Sequence, residues 1–131
     1  MRGIFFLFAV CTGLFSIDSS YWSFNEQFSI KKDQFAVFNV DDNFLTVRWS
    51  LYHNSGLVIA IKYDHFPYQT ILYNDYRQNS IKIPAKTNRT VIPPAPYMTI
   101  AFEGFDAEKK EANLRLYLFD ELKTITIKRA E

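Results

Sequence analysis

Residues 45–52 read LTVRWSLY and alternate apolar with polar side chains along their whole length. Successive side chains of a β-strand point in opposite directions, so a period of two indicates a strand with one buried and one exposed face. The pattern predicts that one set of side chains points into a core: Leu45, Val47, Trp49 and Leu51. The other set is predicted to face outward.

A second alternating stretch follows after Asn54-Ser55-Gly56, and its apolar set is Leu57, Ile59, Ile61 and Tyr63. Two alternating runs joined by such residues are typical of an antiparallel β-hairpin. A slip of one residue would turn Trp49 and its neighbours outward, so we expect a well-fixed register between the two strands.

Similar short alternating stretches occur along the rest of the chain, separated by turn-forming residues. Residues 69–73 are interpreted as a further strand, although a short helix running to Gln78 is the alternative. These patterns predict an all-β fold of seven to nine short strands, most simply an antiparallel β-sandwich with Ig-like layering. A small β-barrel is the second choice. The proline-rich stretch 93–96 is predicted to be a stiff connector that crosses between two sheets.

The chain begins with Met1-Arg2-Gly3, and residues 4–15 are nearly all apolar. A positive start followed by a short apolar run is typical of a signal peptide, and the run is well short of the ~20 residues that span a bilayer. We therefore expect residues 1–20 to be a cleaved signal peptide and residues 21–131 to be a single β-sandwich domain. No other stretch is long and apolar enough to cross a membrane, so the mature protein is expected in the periplasm or secreted.

Cysteine content and charge narrow the classes of function. Cys11 is the only cysteine and lies inside the expected signal peptide, so the mature chain would have no disulfide, thiol nucleophile or thiolate metal site. The formal net charge is +1, from 15 Lys and Arg against 14 Asp and Glu, which gives no electrostatic reason to expect nucleic acid. No cofactor is expected.

The sequence contains no recognisable catalytic motif. His53 and His65 are the only two histidines, fewer than a histidine-based metal site needs without convergent carboxylates. The paired acids at 41–42 and 120–121 fall in predicted turns, where Asp commonly bonds the backbone. No Gly-x-Ser-x-Gly nucleophile motif is present, so we predict a protein that is not an enzyme.

Asn88-Arg89-Thr90 matches the N-glycosylation triplet and lies in a polar stretch predicted to be a loop. Such triplets also arise by chance. This one would be used only if the protein passes through a eukaryotic secretory pathway.

Aromatic residues are dense between positions 63 and 76, within a chain that is 18% aromatic overall. Tyrosine combines flat apolar area with a hydroxyl and is favoured at contact surfaces. We therefore predict a binding surface here, with core and sheet-edge packing as the alternative use of these side chains: Tyr63, His65, Phe66, Tyr68, Tyr73 and Tyr76. A second, weaker candidate surface is the outward side of the first strand, formed by Arg48, Ser50 and Tyr52.

These features together favour an exported, non-enzymatic binding module that contacts another protein of the cell envelope or the extracellular space. The alternative is a carrier of a small ligand or carbohydrate, whose aromatic side chains would line a pocket. An exposed aromatic patch over a filled core would favour the first hypothesis. The oligomeric state does not follow from the sequence.

Overall fold

The computed structural model describes residues 22–86 and 95–130, and within these ranges the chain forms nine β-strands and no helix. The all-β prediction is therefore confirmed. The strands are β1 (Phe24–Lys31), β2 (Ala36–Val40), β3 (Asn43–His53), β4 (Gly56–Tyr63), β5 (Phe66–Tyr73), β6 (Ser80–Pro84), β7 (Tyr97–Asp106), β8 (Glu111–Phe119) and β9 (Ile127–Ala130).

The strands form two antiparallel sheets, one with the order β1-β8-β7-β6 and the other with the order β5-β4-β3-β2-β9. The sheets pack face to face. For example, the rings of Phe28 in β1 and Phe38 in β2 meet with centroids 5.1 Å apart. This arrangement agrees with the predicted sandwich, and within the described residues the two sheets do not close into the barrel that was the second choice.

The core lies between the sheets and is built from the inward-facing set of each strand, as the alternation in the sequence predicts. Leu45, Val47 and Trp49 of β3 are all buried, and so are their partners on β4. The largest fully buried side chains are Phe38, Phe102, Ile30, Leu45, Leu57, Ile59, Ile61, Leu72, Ile83, Met98, Ile100 and Leu114.

The predicted hairpin between β3 and β4 is present, with Leu45 opposite Tyr63 and Trp49 opposite Ile59. Its turn consists of Asn54 and Ser55, whose φ angles of 52° and 65° are those of the type I′ turns that suit right-twisted strands. Gly56 is the first residue of β4 and has no positive φ, so the turn itself does not require a glycine at this position.

A bulge corrects the sequence prediction at the end of β3. The register shifts between Trp49 and Leu51, which makes Ser50 an extra residue on that strand. The alternation is therefore reversed beyond the bulge. Leu51, predicted to be in the core, is 54% exposed, and Tyr52, predicted to face outward, packs against the core. His53 continues the alternation of the predicted inward set by two positions, yet it is exposed.

A second bulge lies in β7, where the register shifts between Phe102 and Gly104. It turns Phe105 toward the core, where this ring stacks on Tyr52 with centroids 4.1 Å apart and planes within 9°. The two bulges thus bring together one ring from each sheet at the same end of the sandwich.

Three further expectations can be compared with the structure. Residues 69–73 belong to strand β5, not to a helix. The sequence around Pro67 predicts a turn over residues 64–67, but the turn consists of Asp64 and His65, both with positive φ, and Pro67 lies inside β5. The predicted crossing between sheets at 93–96 is wrong, because β6 and β7 are antiparallel neighbours in the same sheet.

Two predictions lie outside the described residues: the signal peptide at 1–20 and the glycosylation triplet at 88–90. Within 22–86 and 95–130, no helix has the length and apolar character required to cross a membrane.

Candidate binding surface

The side chains of the predicted site divide between the two sides of the five-stranded sheet. Tyr63 lies in the core between the sheets, and its hydroxyl oxygen accepts a hydrogen bond from the backbone N–H of Lys86 at 2.8 Å. Burial raises the pKa of Tyr63 above its ordinary value. The structure therefore places Tyr63 among the core residues, at the floor of a groove that Phe66 and Tyr68 also line.

Phe66 and Tyr68 lie on the same side of the sheet as Tyr63, because they pair with Tyr63 and Ile61 across the ladder. They line a shallow groove of about 280 Å³ between the β5 edge and the end of β6. An ion pair of 2.7 Å between Lys86 Nζ and Asp64 Oδ2 closes one side of this groove and raises the pKa of Lys86. His65 is exposed in the adjoining turn.

Tyr73 points to the opposite, outer side of the sheet, and Gly56 on β4 explains how it is seated. Gly56 pairs with Tyr73 across the ladder, and a Cβ at position 56 would lie 2.8 Å from Tyr73 Cε1 and 3.0 Å from Ile71 Cγ2. Real Cβ atoms essentially never come within 3.0 Å of a neighbour, so the absence of a side chain at Gly56 gives room for the Tyr73 ring.

Arg77 packs on the face of this ring, with its guanidinium carbon 3.8 Å from the Tyr73 centroid. Arg77 is itself held by Asp75 Oδ2 at 2.6 Å and by the carbonyl oxygen of Asn54 at 3.1 Å. Hydrogen bonding from Arg77 lowers the pKa of Asp75 to about 2. Tyr76, beside this cluster, is 94% exposed.

A row of apolar side chains crosses the outer face of the sheet next to Tyr73. Leu51 pairs with Val58, and Val58 pairs with Ile71, so the three lie side by side on β3, β4 and β5. Leu51 is 54% and Ile71 44% exposed. We call these residues with Tyr73 the outer apolar patch (Leu51, Val58, Ile71 and Tyr73); with Arg77 they line a depression of about 270 Å³.

The charges of this sheet are all of one sign. The five strands contain no Asp or Glu, whereas Arg48, Lys62, Lys128 and Arg129 lie on them. Within the part of the chain that the structure describes, no ion pair joins Arg48 or Lys62 to a carboxylate. The outer face therefore combines an apolar centre with cationic side chains that form no ion pair among the described residues, and Asp42 and Asp64 line the same depression as Lys62.

The second surface predicted from the sequence is only partly formed. Arg48 faces outward, with its guanidinium carbon 5.5 Å from the centroid of the Phe35 ring. Ser50 is exposed at the bulge. Tyr52 points into the sandwich and stacks on Phe105, so this member of the predicted surface is wrong.

A separate aromatic cluster lies on the four-stranded sheet and was missed by sequence reasoning. Trp22 packs against Tyr117 with ring centroids 4.8 Å apart, and Tyr97 stacks on Phe119 at 5.2 Å. All four side chains are only partly exposed, since each covers part of another. Their contacts hold the segment before β1 against the sheet.

The described residues, 22–86 and 95–130, contain no metal site, and their buried polar side-chain atoms all form hydrogen bonds. No group of three or more His, Cys, Asp or Glu side chains could hold a metal ion there, and every buried side-chain nitrogen or oxygen in those ranges has a hydrogen-bond partner. Comparison of the chain with protein-family models, with curated proteins and with solved structures gives no match.

Proposed function

We propose that this protein is an exported, non-enzymatic β-sandwich that binds another protein of the cell envelope or extracellular space through its outer apolar patch. One observation carries the proposal: Leu51, Val58 and Ile71 form a contiguous apolar row on the outside of a sheet whose core is already filled. Exposed apolar side chains that are contiguous, and not scattered, are typical of surfaces that contact proteins.

The charges around the patch indicate the chemistry of the partner. Arg48 and Lys62 lie on the same face and find no carboxylate among the described residues. A partner with an apolar centre and acidic side chains at its rim would complement this face, and opposite charge would accelerate the encounter. A second copy of this chain, placed face to face, would instead bring like charges together.

The patch is also held rigidly, which lowers the entropic cost of binding. Its members lie on three adjacent strands, and the Tyr73 ring is fixed between Gly56 and Arg77. Tyrosine and arginine are enriched among the residues that dominate interface energies. We therefore expect Tyr73 and Arg77 to lie inside the contact area.

Replacing Leu51 and Ile71 together with serine is expected to weaken partner capture by at least about tenfold, since these two exposed side chains flank Val58 and supply much of the apolar surface of the patch. Because both side chains are about half exposed, the free energy of unfolding should change by no more than about 1 kcal/mol. The measurement is cross-linking capture from envelope extract, with the captured protein identified by mass spectrometry and its affinity then measured with purified components.

Leu122→Ser is the matched control, since Leu122 is 63% exposed in the turn before β9. It should capture the same protein as the wild type does. Unchanged capture by the Leu51/Ile71 double variant would contradict the proposed surface. If Phe66→Ser alone abolished binding, the alternative function would be favoured, namely a small-ligand or carbohydrate carrier that uses the groove at Phe66 and Tyr68.

Export is tested separately by intact-mass measurement of the protein recovered outside the cytoplasm. We expect a mass that corresponds to a chain beginning near residue 21, without the apolar stretch that follows Arg2. The mass of the full chain, or a mass with a lipid added at Cys11, would contradict the expected cleavage.

A further inference from the structure

Strand β5 is an edge strand of the five-stranded sheet, since β4 is the only strand of the described residues that pairs with it. It runs beside the outer apolar patch and contributes Ile71 and Tyr73 to it. Its sequence, FPYQTILY, contains no charged residue. An uncharged edge strand is a surface to which another strand can be added.

The direction of the backbone groups on β5 follows from two hydrogen bonds at its end. Asn74 N donates to Ser55 O in the turn before β4, whereas Tyr73 N donates to Gln78 O, away from β4. Because the direction alternates along a strand, the odd-numbered residues of β5 direct their N–H and C=O groups away from the sheet. These residues are 67, 69, 71 and 73.

Two N–H groups on this edge have no backbone partner among residues 22–86 and 95–130. Pro67 has no N–H, and Tyr73 N–H is already used, which leaves Gln69 and Ile71. Neither forms an outward backbone hydrogen bond to any residue of the described ranges. The pairing of β4 with β5 has no register shift, so no bulge turns this edge away.

We infer that the partner supplies an extended segment that adds to β5 as an antiparallel strand, bonded to the backbone of Gln69 and Ile71. This inference rests on the proposed function and specifies how the partner is bound. Strand addition of this kind draws affinity from main-chain hydrogen bonds and specificity from alternate side chains.

The side chains beside this edge specify the pattern of the added strand. On the outer face, the residue of the added strand that lies beside Ile71 should be apolar, because it would extend the apolar row of the patch. Four positions away, Pro67 pairs with Lys62, whose charge has no carboxylate partner among the described residues. An antiparallel segment would therefore carry an apolar residue and, four positions later, an acidic one on the same face.

The test begins with random peptides of about twelve residues, displayed and selected on the immobilised protein. Peptides of this length can cover an eight-residue strand. The enriched peptides should share the apolar and acidic positions four apart. One enriched peptide is then synthesised as the probe. Absence of any enriched peptide would overturn the inference.

Gln69→Pro is the decisive variant, because it removes an outward N–H without removing a hydrogen bond to β4. We expect it to bind the probe at least about tenfold more weakly, since the donor is lost and the proline ring blocks close approach. Gln69→Thr is the matched control that keeps the N–H, and its binding should be close to that of the wild type.

Amide hydrogen exchange on the wild-type protein tests the same inference without a variant. The probe should slow exchange at the amides of Gln69 and Ile71, and unchanged exchange at both would overturn strand addition. If the Leu51/Ile71 serine variant binds the probe more weakly but Gln69→Pro does not, the outer apolar patch is supported and strand addition is overturned. If both variants bind the probe as the wild type does, both proposals are overturned.

Discussion

Replacing Trp49 with alanine is expected to lower the free energy of unfolding by about 3–5 kcal/mol. Trp49 is 4% exposed and belongs to β3 of the five-stranded sheet. Its indole Nε1 donates a hydrogen bond of 2.8 Å to the carbonyl oxygen of Ile30 in the opposite sheet, and its ring meets Phe105 edge-on with centroids 5.5 Å apart. The change would therefore leave a cavity and remove a contact that joins the two sheets.

Chemical denaturation measures this loss, with Arg48→Ala as the control. Arg48 neighbours Trp49 but points outward, so its loss should cost less than about 1 kcal/mol. Trp49→Phe keeps an aromatic ring and removes the indole donor, and should give an intermediate loss. Equal losses for Trp49→Ala and Arg48→Ala would contradict the register of β3.

The strands and their inward faces were predictable because burial on one side imposes a period of two. Leu45, Val47 and Trp49 obey it, as do their partners on β4. The turn at Asn54 and Ser55 was predictable from adjacent residues, because a two-residue hairpin turn of this type requires positive φ angles at both positions. Each of these signals lies within a few adjacent residues.

The bulges were not predictable, because the alternation continues through them in the sequence. Leu51 follows Trp49 with the spacing of a core residue, yet the extra residue Ser50 reverses the faces beyond it. What favours the bulge is tertiary: Tyr52 turns inward and finds the Phe105 ring of the other sheet. That partner is far away in the chain and leaves no local signal.

The candidate surface was only partly predictable, because pairing between strands also decides which residues belong to it. Aromatic density drew attention to the right segment, since Tyr73 lies at the outer face and Tyr76 is exposed near Arg77. Density along the chain does not separate the two sides of a strand, so Tyr63 and Tyr68 were grouped with residues that face the other way. Leu51 belongs to the patch through cross-strand pairing by way of Val58, which only the register reveals.

Replacing Asp120 with alanine is expected to lower the free energy of unfolding by about 2–4 kcal/mol, because buried backbone donors would lose a carboxylate acceptor. Asp120 was predicted to be a turn residue of the kind that bonds the backbone; it follows β8 directly and is only 1% exposed. Its Oδ2 accepts hydrogen bonds from the backbone N–H groups of Thr124 and Ile125, both at 2.7 Å. These bonds shape the segment through which the chain leaves β8 and reaches β9 in the other sheet.

Two variants separate this role from a general effect of changing the turn. Glu121→Ala alters the exposed neighbour and should change the stability by no more than about 0.5 kcal/mol. Asp120→Asn keeps one side-chain oxygen as an acceptor, so its loss should be smaller than that of Asp120→Ala. Thermal or chemical unfolding of the three variants makes the comparison. If Asp120→Ala were no more destabilising than Glu121→Ala, the two N–H groups would have to find other acceptors, and the carboxylate would not be what holds this turn against the core.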